Sequence, residues 1–176
     1  GYGDSRDQAI NKLSEALDRY VIRGPAENIA FLSALVAHPR FVSGDMTTAF
    51  IEEEYPNGFG PACVNHPDPR RLIALAAVLE FKANSSSFDA DGCAVAVQLG
   101  EDERTRFEVH VARHDGATVV TVDGHAFEVA LDWHAGADLL SCFIDSEAHA
   151  VQVARRGIDW ALRHRGYAVN VRVMKP

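Results

Sequence analysis

Leu72-Ile-Ala-Leu-Ala-Ala-Val-Leu79 is the stretch that decides the fold of this 176-residue chain. Asp68 suits the N-cap of a helix and Pro69 suits its first position, so the segment predicts a helix over 69–83. The quoted residues would lie on every side of that helix. Because a helix that is apolar all round must be buried all round, the rest of the chain has to supply a complete apolar wrapper.

Eight segments with alternating apolar residues follow the predicted helix. Alternation with a period of two is typical of strands that have one buried face. Turn signals separate the segments, and Asp123-Gly124 is a strong signal for a two-residue hairpin. The apolar positions are Cys93, Val95, Val97 and Leu99; Phe107, Val109 and Val111; Val120 and Val122; Phe127, Val129, Leu131 and Trp133; Leu140, Cys142 and Ile144; Val151 and Val153; Ile158, Trp160 and Leu162; and Tyr167, Val169, Val171 and Val173.

Together these patterns predict an α+β fold. Short N-terminal helices would precede a long central helix, which is surrounded by an eight-stranded antiparallel β-barrel. We expect the helix to lie inside the strand set or across its mouth. An eight-stranded barrel is usually just wide enough for its own side chains, so the sheet should be open, splayed or strongly tilted.

The first 58 residues predict helices and no strand. Ser5-Arg6-Asp7-Gln8 has the pattern of a capping box, and Ile10, Leu13, Leu17, Tyr20 and Val21 follow as one apolar stripe. The predicted helices run from this box to Gly24, from Pro25 to about His38, and from Thr48 to Tyr55. Three short helices form an incomplete core, and the Gly and Pro residues around 59–68 predict a linker after them.

Composition excludes several classes of partner. The formal net charge of −8 argues against a nucleic-acid binder, and the clustered Arg155, Arg156, Arg163 and Arg165 are better explained as solvated strand faces. Three widely spaced cysteines signal no disulfide framework or zinc site, which favours a reducing compartment. No signal peptide is evident, and the longest apolar run is too short for a bilayer span.

No catalytic, cofactor-binding or metal-binding residue is predicted. His110 and His114 would lie ~13 Å apart on a strand, too far to share one metal ion. Ser141, His149 and Asp145 could be drawn as a triad, but no G-x-S-x-G turn presents the serine. The glycine-rich phosphate loops are absent as well.

The N-terminal third resembles a known family. Gly3-Asp-Ser-Arg-Asp-Gln-Ala-Ile10 is similar to the G-x-x-R-x-x-A-I helix at the C-terminal end of biotin carboxylase domains, and Gly24 and Asn28-Ile29 match the element after it. Ala26-Glu27 departs from the threonine common there. Similarity to the α subunits of propionyl-CoA carboxylases, which are biotin-dependent ligases, is carried by Phe41, Gly44, Asp45, Thr47, Thr48, Phe50 and Tyr55-Pro-Asn-Gly-Phe59.

This resemblance implies a domain plan. Residues 1–58 would be the incomplete end of a biotin carboxylase domain, 59–68 a linker and 69–174 a BT domain, which joins the α subunit to the carboxyltransferase β subunit. The parent enzyme would use biotin, ATP and Mg²⁺ or Mn²⁺, and would be cytoplasmic, or in the mitochondrial matrix of a eukaryote. Its own biotin carboxylase and biotinyl domains would be further partners of a fragment that is itself inactive and holds no cofactor. Lys175 would be linker and not the biotinylated lysine.

For the interface we select the loop at 84–91, which joins the central helix to the first strand, together with exposed residues at the barrel edge. Phe88 is its one large apolar residue, and the polar Ser86, Ser87 and Asp89 surround it. Phe88 could equally tuck into the barrel mouth. The alternative function is a stand-alone small-molecule binder with a lipocalin-like barrel, which requires an open cavity and a helix packed outside the strands. A hydrolase ranks third.

Overall fold

The computed structural model describes residues 1–22, 24, 27–84 and 92–174, with the backbone alone at Glu103. The chain divides into two compact units, Gly1–His66 with Arg163–Ala168, and Pro67–Leu162 with Val169–Pro176. The helices are α1 (Arg6–Arg19), α2 (Ile29–Ala37), α3 (Pro39–Ser43), α4 (Phe50–Glu54) and α5 (Pro69–Ala83). The strands are β1 (Cys93–Leu99), β2 (Arg106–His114), β3 (Ala117–Val122), β4 (His125–Asp132), β5 (Leu139–Ile144), β6 (Glu147–Arg156), β7 (Asp159–His164) and β8 (Tyr167–Met174).

The capping residues of the first unit account for the start of α1. The Ser5 hydroxyl accepts a hydrogen bond from the backbone N–H of Gln8 at 3.2 Å, as predicted. The Gln8 side chain accepts from the N–H of Asp4 at 3.1 Å, one residue before the position that a standard capping box would use. Two donors at the helix start are therefore satisfied by side chains.

Several predicted helix bounds are wrong. The first helix ends at Arg19, so Tyr20 and Val21 lie beyond it and are exposed. The second begins at Ile29 and not at Pro25. The third is shorter than predicted, at Phe50–Glu54.

Helix α3 has no counterpart among the helices predicted from the sequence, the second of which ends near His38. In the structure Pro39 opens α3, and Gly44 ends it with a positive φ of 85°. Half-buried aromatic rings pack together in this unit, where Phe31 meets Phe59 edge-on with centroids 5.2 Å apart.

The second unit contains the barrel apart from residues 163–168, where β7 ends and β8 begins. The described residues form eight antiparallel strands in sequence order, closed on themselves. The predicted eight-stranded antiparallel barrel is confirmed. Val97 of β1 pairs with Val173 of β8, so of the three expected forms of the sheet the open one is excluded. Closure satisfies the backbone groups that two edge strands would leave unpaired.

The predicted inward positions form the core of the barrel. Val97, Val111, Val120 and Val122 are fully buried, as the period of two requires. The predicted inward position of Ile158 is wrong, since Ile158 lies in the turn before β7 and is 62% exposed. Gly157, with a φ of 62°, and Ile158 form this turn, so β7 begins at Asp159.

Helix α5 has the predicted bounds and the predicted start. The Asp68 carboxylate accepts from the N–H of Arg70, and Pro69 occupies the first turn. Ten consecutive residues, 72–81, are buried, and the helix contacts β1, β2, β3 and β4. Among the described residues, no helix combines the length and the apolar character needed to cross a membrane.

Candidate interaction site at the end of α5

The predicted interface residues Phe88, Ser86, Ser87 and Asp89 lie outside the described residues, as does Lys175. The two ends of the predicted loop are described. Asn84 follows α5 directly, and Gly92 precedes β1. The geometry of these two ends defines where the chain leaves the barrel core and where it returns.

Glu80 organises the first of these ends. One carboxylate oxygen, Oε2, accepts hydrogen bonds from Arg155 Nη1 at 2.5 Å and from Trp160 Nε1 at 2.7 Å. The other, Oε1, accepts from the side-chain amide of Asn84 at 2.7 Å. Both oxygens of a buried carboxylate are thus satisfied, which removes most of the penalty for burying it.

Aromatic and backbone contacts hold the partners of Glu80 in place. The Arg155 guanidinium lies 4.6 Å from the Trp160 ring centroid, and its Nε donates to the backbone oxygen of Gly157 at 2.9 Å. Trp133 packs edge-on against Trp160, with ring centroids 5.6 Å apart. Residue 84 is therefore tied through Glu80 to β6 and β7.

These contacts stabilise the ionised form of the Glu80 carboxylate. Burial raises the pKa of the carboxyl, but the hydrogen bonds from Arg155, Trp160 and Asn84 outweigh it, so that its pKa lies below the ordinary value. Glu80 is therefore ionised at neutral pH and attracts the guanidinium of Arg155.

Close packing fixes the second end of the loop. Gly92 has a φ of 77°, and a Cβ placed on it would lie 2.6 Å from the backbone oxygen of Val111 and 2.6 Å from Cε1 of His110. Only glycine fits this conformation and this approach to β2. Lys82 adds a further tie near the loop, because its Nζ donates to the backbone oxygen of Leu131 at 3.0 Å.

The other sequence-based candidates do not converge on a catalytic site. Ser141 is exposed and pairs in register with Ala150, whereas His149 is half-buried and pairs with Cys142, so the two side chains belong to opposite faces of the sheet. In the described parts of the chain, no three His, Cys, Asp or Glu side chains are grouped so as to hold a metal ion. His110 and His114 belong to no such group.

The clustered arginines make ion pairs that the sequence did not indicate. Each partner is an acidic side chain far away along the chain, so the cluster is partly neutralised. The pairs and their N–O distances are Arg155 with Glu80 at 2.5 Å, Arg163 with Glu27 at 2.7 Å and Arg165 with Asp18 at 3.3 Å.

Two protein-family models match different parts of this chain. A family model described as "Propionyl-coenzyme A carboxylase BT domain" matches residues 72–176, more than half of the chain. The chain belongs to this BT domain family. A second family model, "Biotin carboxylase C-terminal domain", matches residues 1–53. The resemblance inferred from the sequence is confirmed in both parts.

Curated relatives extend the match over the whole chain. The propionyl-CoA carboxylase alpha chain of Ruegeria pomeroyi is 36% identical over 99% of this chain, which covers 27% of that protein. The mitochondrial propionyl-CoA carboxylase alpha chain of Homo sapiens is 30% identical over 97% of this chain and 25% of its own length. This BT domain family member thus spans about a quarter of the length of these relatives. Biotin carboxylase 1 of Bacillus subtilis is 43% identical over 29% of the chain.

Glu80 is not among the residues predicted from the sequence, although a local signal is present. Glu80 is a single carboxylate that directly follows the apolar run ending at Leu79. A helix buried all round implies that this carboxylate needs a partner. The identity of that partner, Arg155, depends on the barrel closing, and a distance of 75 positions along the chain gives no sequence signal.

Proposed function

We propose that this chain is a non-catalytic segment of a biotin-dependent propionyl-CoA carboxylase α chain, and that its BT domain associates with the carboxyltransferase β subunit. The match of residues 72–176 to the BT domain family is the observation that carries this proposal. The relatives that match nearly the whole chain are propionyl-CoA carboxylase alpha chains, which supports the same conclusion.

The proposed domain plan assigns residues 1–58 to the end of a biotin carboxylase domain, 59–68 to a linker and 69–174 to the BT domain. The biotin carboxylase match over residues 1–53 supports the first assignment. Within the BT domain, α5 would be the central helix around which the barrel closes. Burial of residues 72–81 and contacts of α5 with four strands support this arrangement.

The interaction surface would be the loop at 84–91, with Phe88 as its anchor. Asn84 is tied to Glu80 and Gly92 is packed against β2, so both ends of the loop are held by the barrel. Holding both ends lowers the conformational entropy that the loop would lose on binding. A large aromatic side chain between such ends suits a binding hot spot.

The parent enzyme would carry the chemistry in other domains. It would carboxylate biotin with ATP, bicarbonate and Mg²⁺ or Mn²⁺, and the carboxyl group would then pass to propionyl-CoA. Its biotin carboxylase and biotinyl domains would be the other partners of this segment. Such an enzyme would work in the cytoplasm of a bacterium or in the mitochondrial matrix of a eukaryote.

The lipocalin-like alternative is less well supported. It needs an empty barrel interior and a helix outside the strands. The buried run 72–81 of α5 argues against both requirements.

A binding experiment tests the proposal. The chain is mixed with a purified carboxyltransferase β subunit, and Kd is measured by calorimetry for the unchanged chain, for Phe88→Ser and for Phe143→Ser. Phe143 is a matched control because it is a phenylalanine on the barrel surface that is 55% exposed. Loss of a hot-spot aromatic residue should raise Kd by about 30-fold or more, whereas Phe143→Ser should change it by less than about threefold.

Two results would contradict the proposal at different levels. If the unchanged chain and the β subunit form no complex at micromolar concentrations, the proposed association is wrong. If they bind and Phe88→Ser binds equally well, the association stands and the choice of the 84–91 loop is wrong.

A further inference from the structure

A buried polar cluster in the first unit has no part in the proposed association. Asp18 on α1, His66 and His164 are each less than a tenth exposed. His66 Nε2 lies 2.8 Å from His164 Nδ1, and His164 Nε2 lies 3.8 Å from Asp18 Oδ2. The three side chains therefore form a continuous series of contacts, from the Asp18 carboxylate to the His164 imidazole and on to the His66 imidazole.

The cluster connects α1 to residues 163–168 of the same unit. The backbone N–H of Arg165 donates to Asp18 Oδ1 at 2.6 Å, and Arg165 Nε lies 3.3 Å from Asp18 Oδ2. Asp18 is the acceptor for both contacts. The state of this carboxylate and of its imidazole neighbours thus affects how tightly the 163–168 segment is held.

Other charged groups face the cluster from each side. Glu15 and Arg19 act on Asp18 from within α1, in opposite directions. The ring of Tyr167 lies 5.8 Å from that of His66, and the ion pair between Arg163 and Glu27 flanks the segment at 2.7 Å. Glu15 is offset in charge by Arg19, and Glu27 by Arg163, so these four neighbours add no net charge beside the cluster.

The cluster can bind one added proton without gaining a net charge on its three side chains. Two ring nitrogens at 2.8 Å share a single hydrogen, whichever ring donates it. An added proton can neutralise Asp18, or it can charge His164 beside the Asp18 carboxylate. Both forms leave Asp18, His164 and His66 with no net charge among them.

A second added proton has no comparable binding position. If both His66 Nε2 and His164 Nδ1 carried a hydrogen, two N–H groups would point at each other. On the histidine pair beside a neutral Asp18 it would leave a buried positive charge close to the Arg165 guanidinium.

We propose that the Asp18–His164–His66 cluster is an acid-sensitive clasp, which holds residues 163–168 on α1 while it carries at most one added proton and releases them when a second proton binds. In the open form the two imidazoles no longer face each other, so each can bind a proton of its own. On acidification the open form then binds two protons, whereas the closed form binds one.

Asp18 and the two histidines have opposite effects on how closure of the clasp depends on pH. Burial raises the pKa of Asp18 to about 6, so its own contribution to closure is present at low pH and is lost as pH rises through that value. The histidine pair contributes the reverse, because closure blocks one of its two protonations. The open form binds one proton more in total, so closure weakens on acidification by about tenfold per pH unit below about pH 6.

Hydrogen exchange of the Arg165 amide tests the clasp in the whole chain. Protection, corrected for the intrinsic exchange rate, is measured from pH 5 to 7.5 alongside the amide of Val97 in the barrel. We expect Arg165 protection to be constant above about pH 7 and to fall about tenfold per unit below about pH 6, while that of Val97 stays unchanged. His66→Gln should abolish the slope, and His125→Gln, which removes an exposed histidine of the barrel, should preserve it.

Three results would overturn the proposal. One is Arg165 protection that does not change with pH, and another is a slope that survives in His66→Gln. If that variant does not fold, an NMR titration of the unchanged chain decides. Asp18, His66 and His164 together should take up one proton between pH 7.5 and 5, and uptake of two protons by the three groups with Arg165 still protected would exclude the clasp.

Discussion

Replacing Leu75 with alanine tests whether α5 is enclosed by the barrel. Leu75 lies in the middle of the helix and is fully buried. Alanine has the highest helix propensity, so the substitution does not weaken the helix itself. Any loss of stability therefore reports on the surroundings of the side chain.

The expected loss can be worked out from the burial. Leucine exceeds alanine by about three carbon groups, each worth about 0.8 kcal/mol on burial, or about 2.4 kcal/mol together. An enclosed site cannot collapse around the missing atoms, and the resulting cavity brings the total to about 3–4 kcal/mol. A helix lying on the surface of the barrel would relax and lose about half as much or less.

Urea unfolding followed by tryptophan fluorescence is the assay. Trp133 and Trp160 both belong to the barrel unit, so the signal reports on that unit. Ile158→Ala is the control, because Ile158 is 62% exposed and its truncation should change the free energy of unfolding by less than about 0.5 kcal/mol. A loss below about 1 kcal/mol for Leu75→Ala, at an unchanged m value, would refute enclosure of α5.

Two further substitutions test the ends of the 84–91 loop. Gly92→Ala should lower barrel stability by about 1–3 kcal/mol, because residue 92 has a positive φ and the added Cβ would approach Val111. Gly116→Ala is the control: Gly116 has a φ of 85° and no atom within 4 Å, so the variant should show the smaller effect of backbone strain alone. Equal losses of stability in urea unfolding would rule out the close approach at Gly92. The hydrogen bonds to Glu80 keep its pKa low, so its contribution is present above about pH 4.5 and is lost as pH falls through the folded-state value. The stability difference between the unchanged chain and Glu80→Gln should therefore shrink on acidification, and a difference that is constant from pH 7 to 3 would contradict this assignment.

The fold followed from local patterns wherever burial is one-sided or complete. The period of two located all eight strands, and Asp68 with Pro69 located the start of α5, because capping and alternation act within a few residues. Sequence patterns failed where two local rules compete. Pro39 can end one helix or open the next, and only the following Gly44 distinguishes the two.

The sites were less accessible to sequence reasoning than the fold. His164 and His66 are 98 positions apart, and Glu80 and Arg155 are 75 apart, so each pair exists only after the chain has folded. The sequence argues against a shared metal ion at His110 and His114 and gives no sign that two other histidines, His66 and His164, are buried and face each other. Periodicity reports which face a residue occupies and carries no information about which residue lies opposite across the fold.

Glu80 also answers a problem that the apolar helix creates. A helix that is apolar all round gains nearly the same burial at any rotation within its wrapper, because hydrophobic contacts are not directional. Leucine at position 80 would bury as well, and without the penalty of a carboxylate. Hydrogen bonds to Trp160 and Arg155 are directional, so they favour one rotation and one axial position of α5 against β6 and β7. The same carboxylate holds Asn84, and the position that it sets for the helix is therefore passed directly to the point where the chain leaves the helix for the proposed interaction loop.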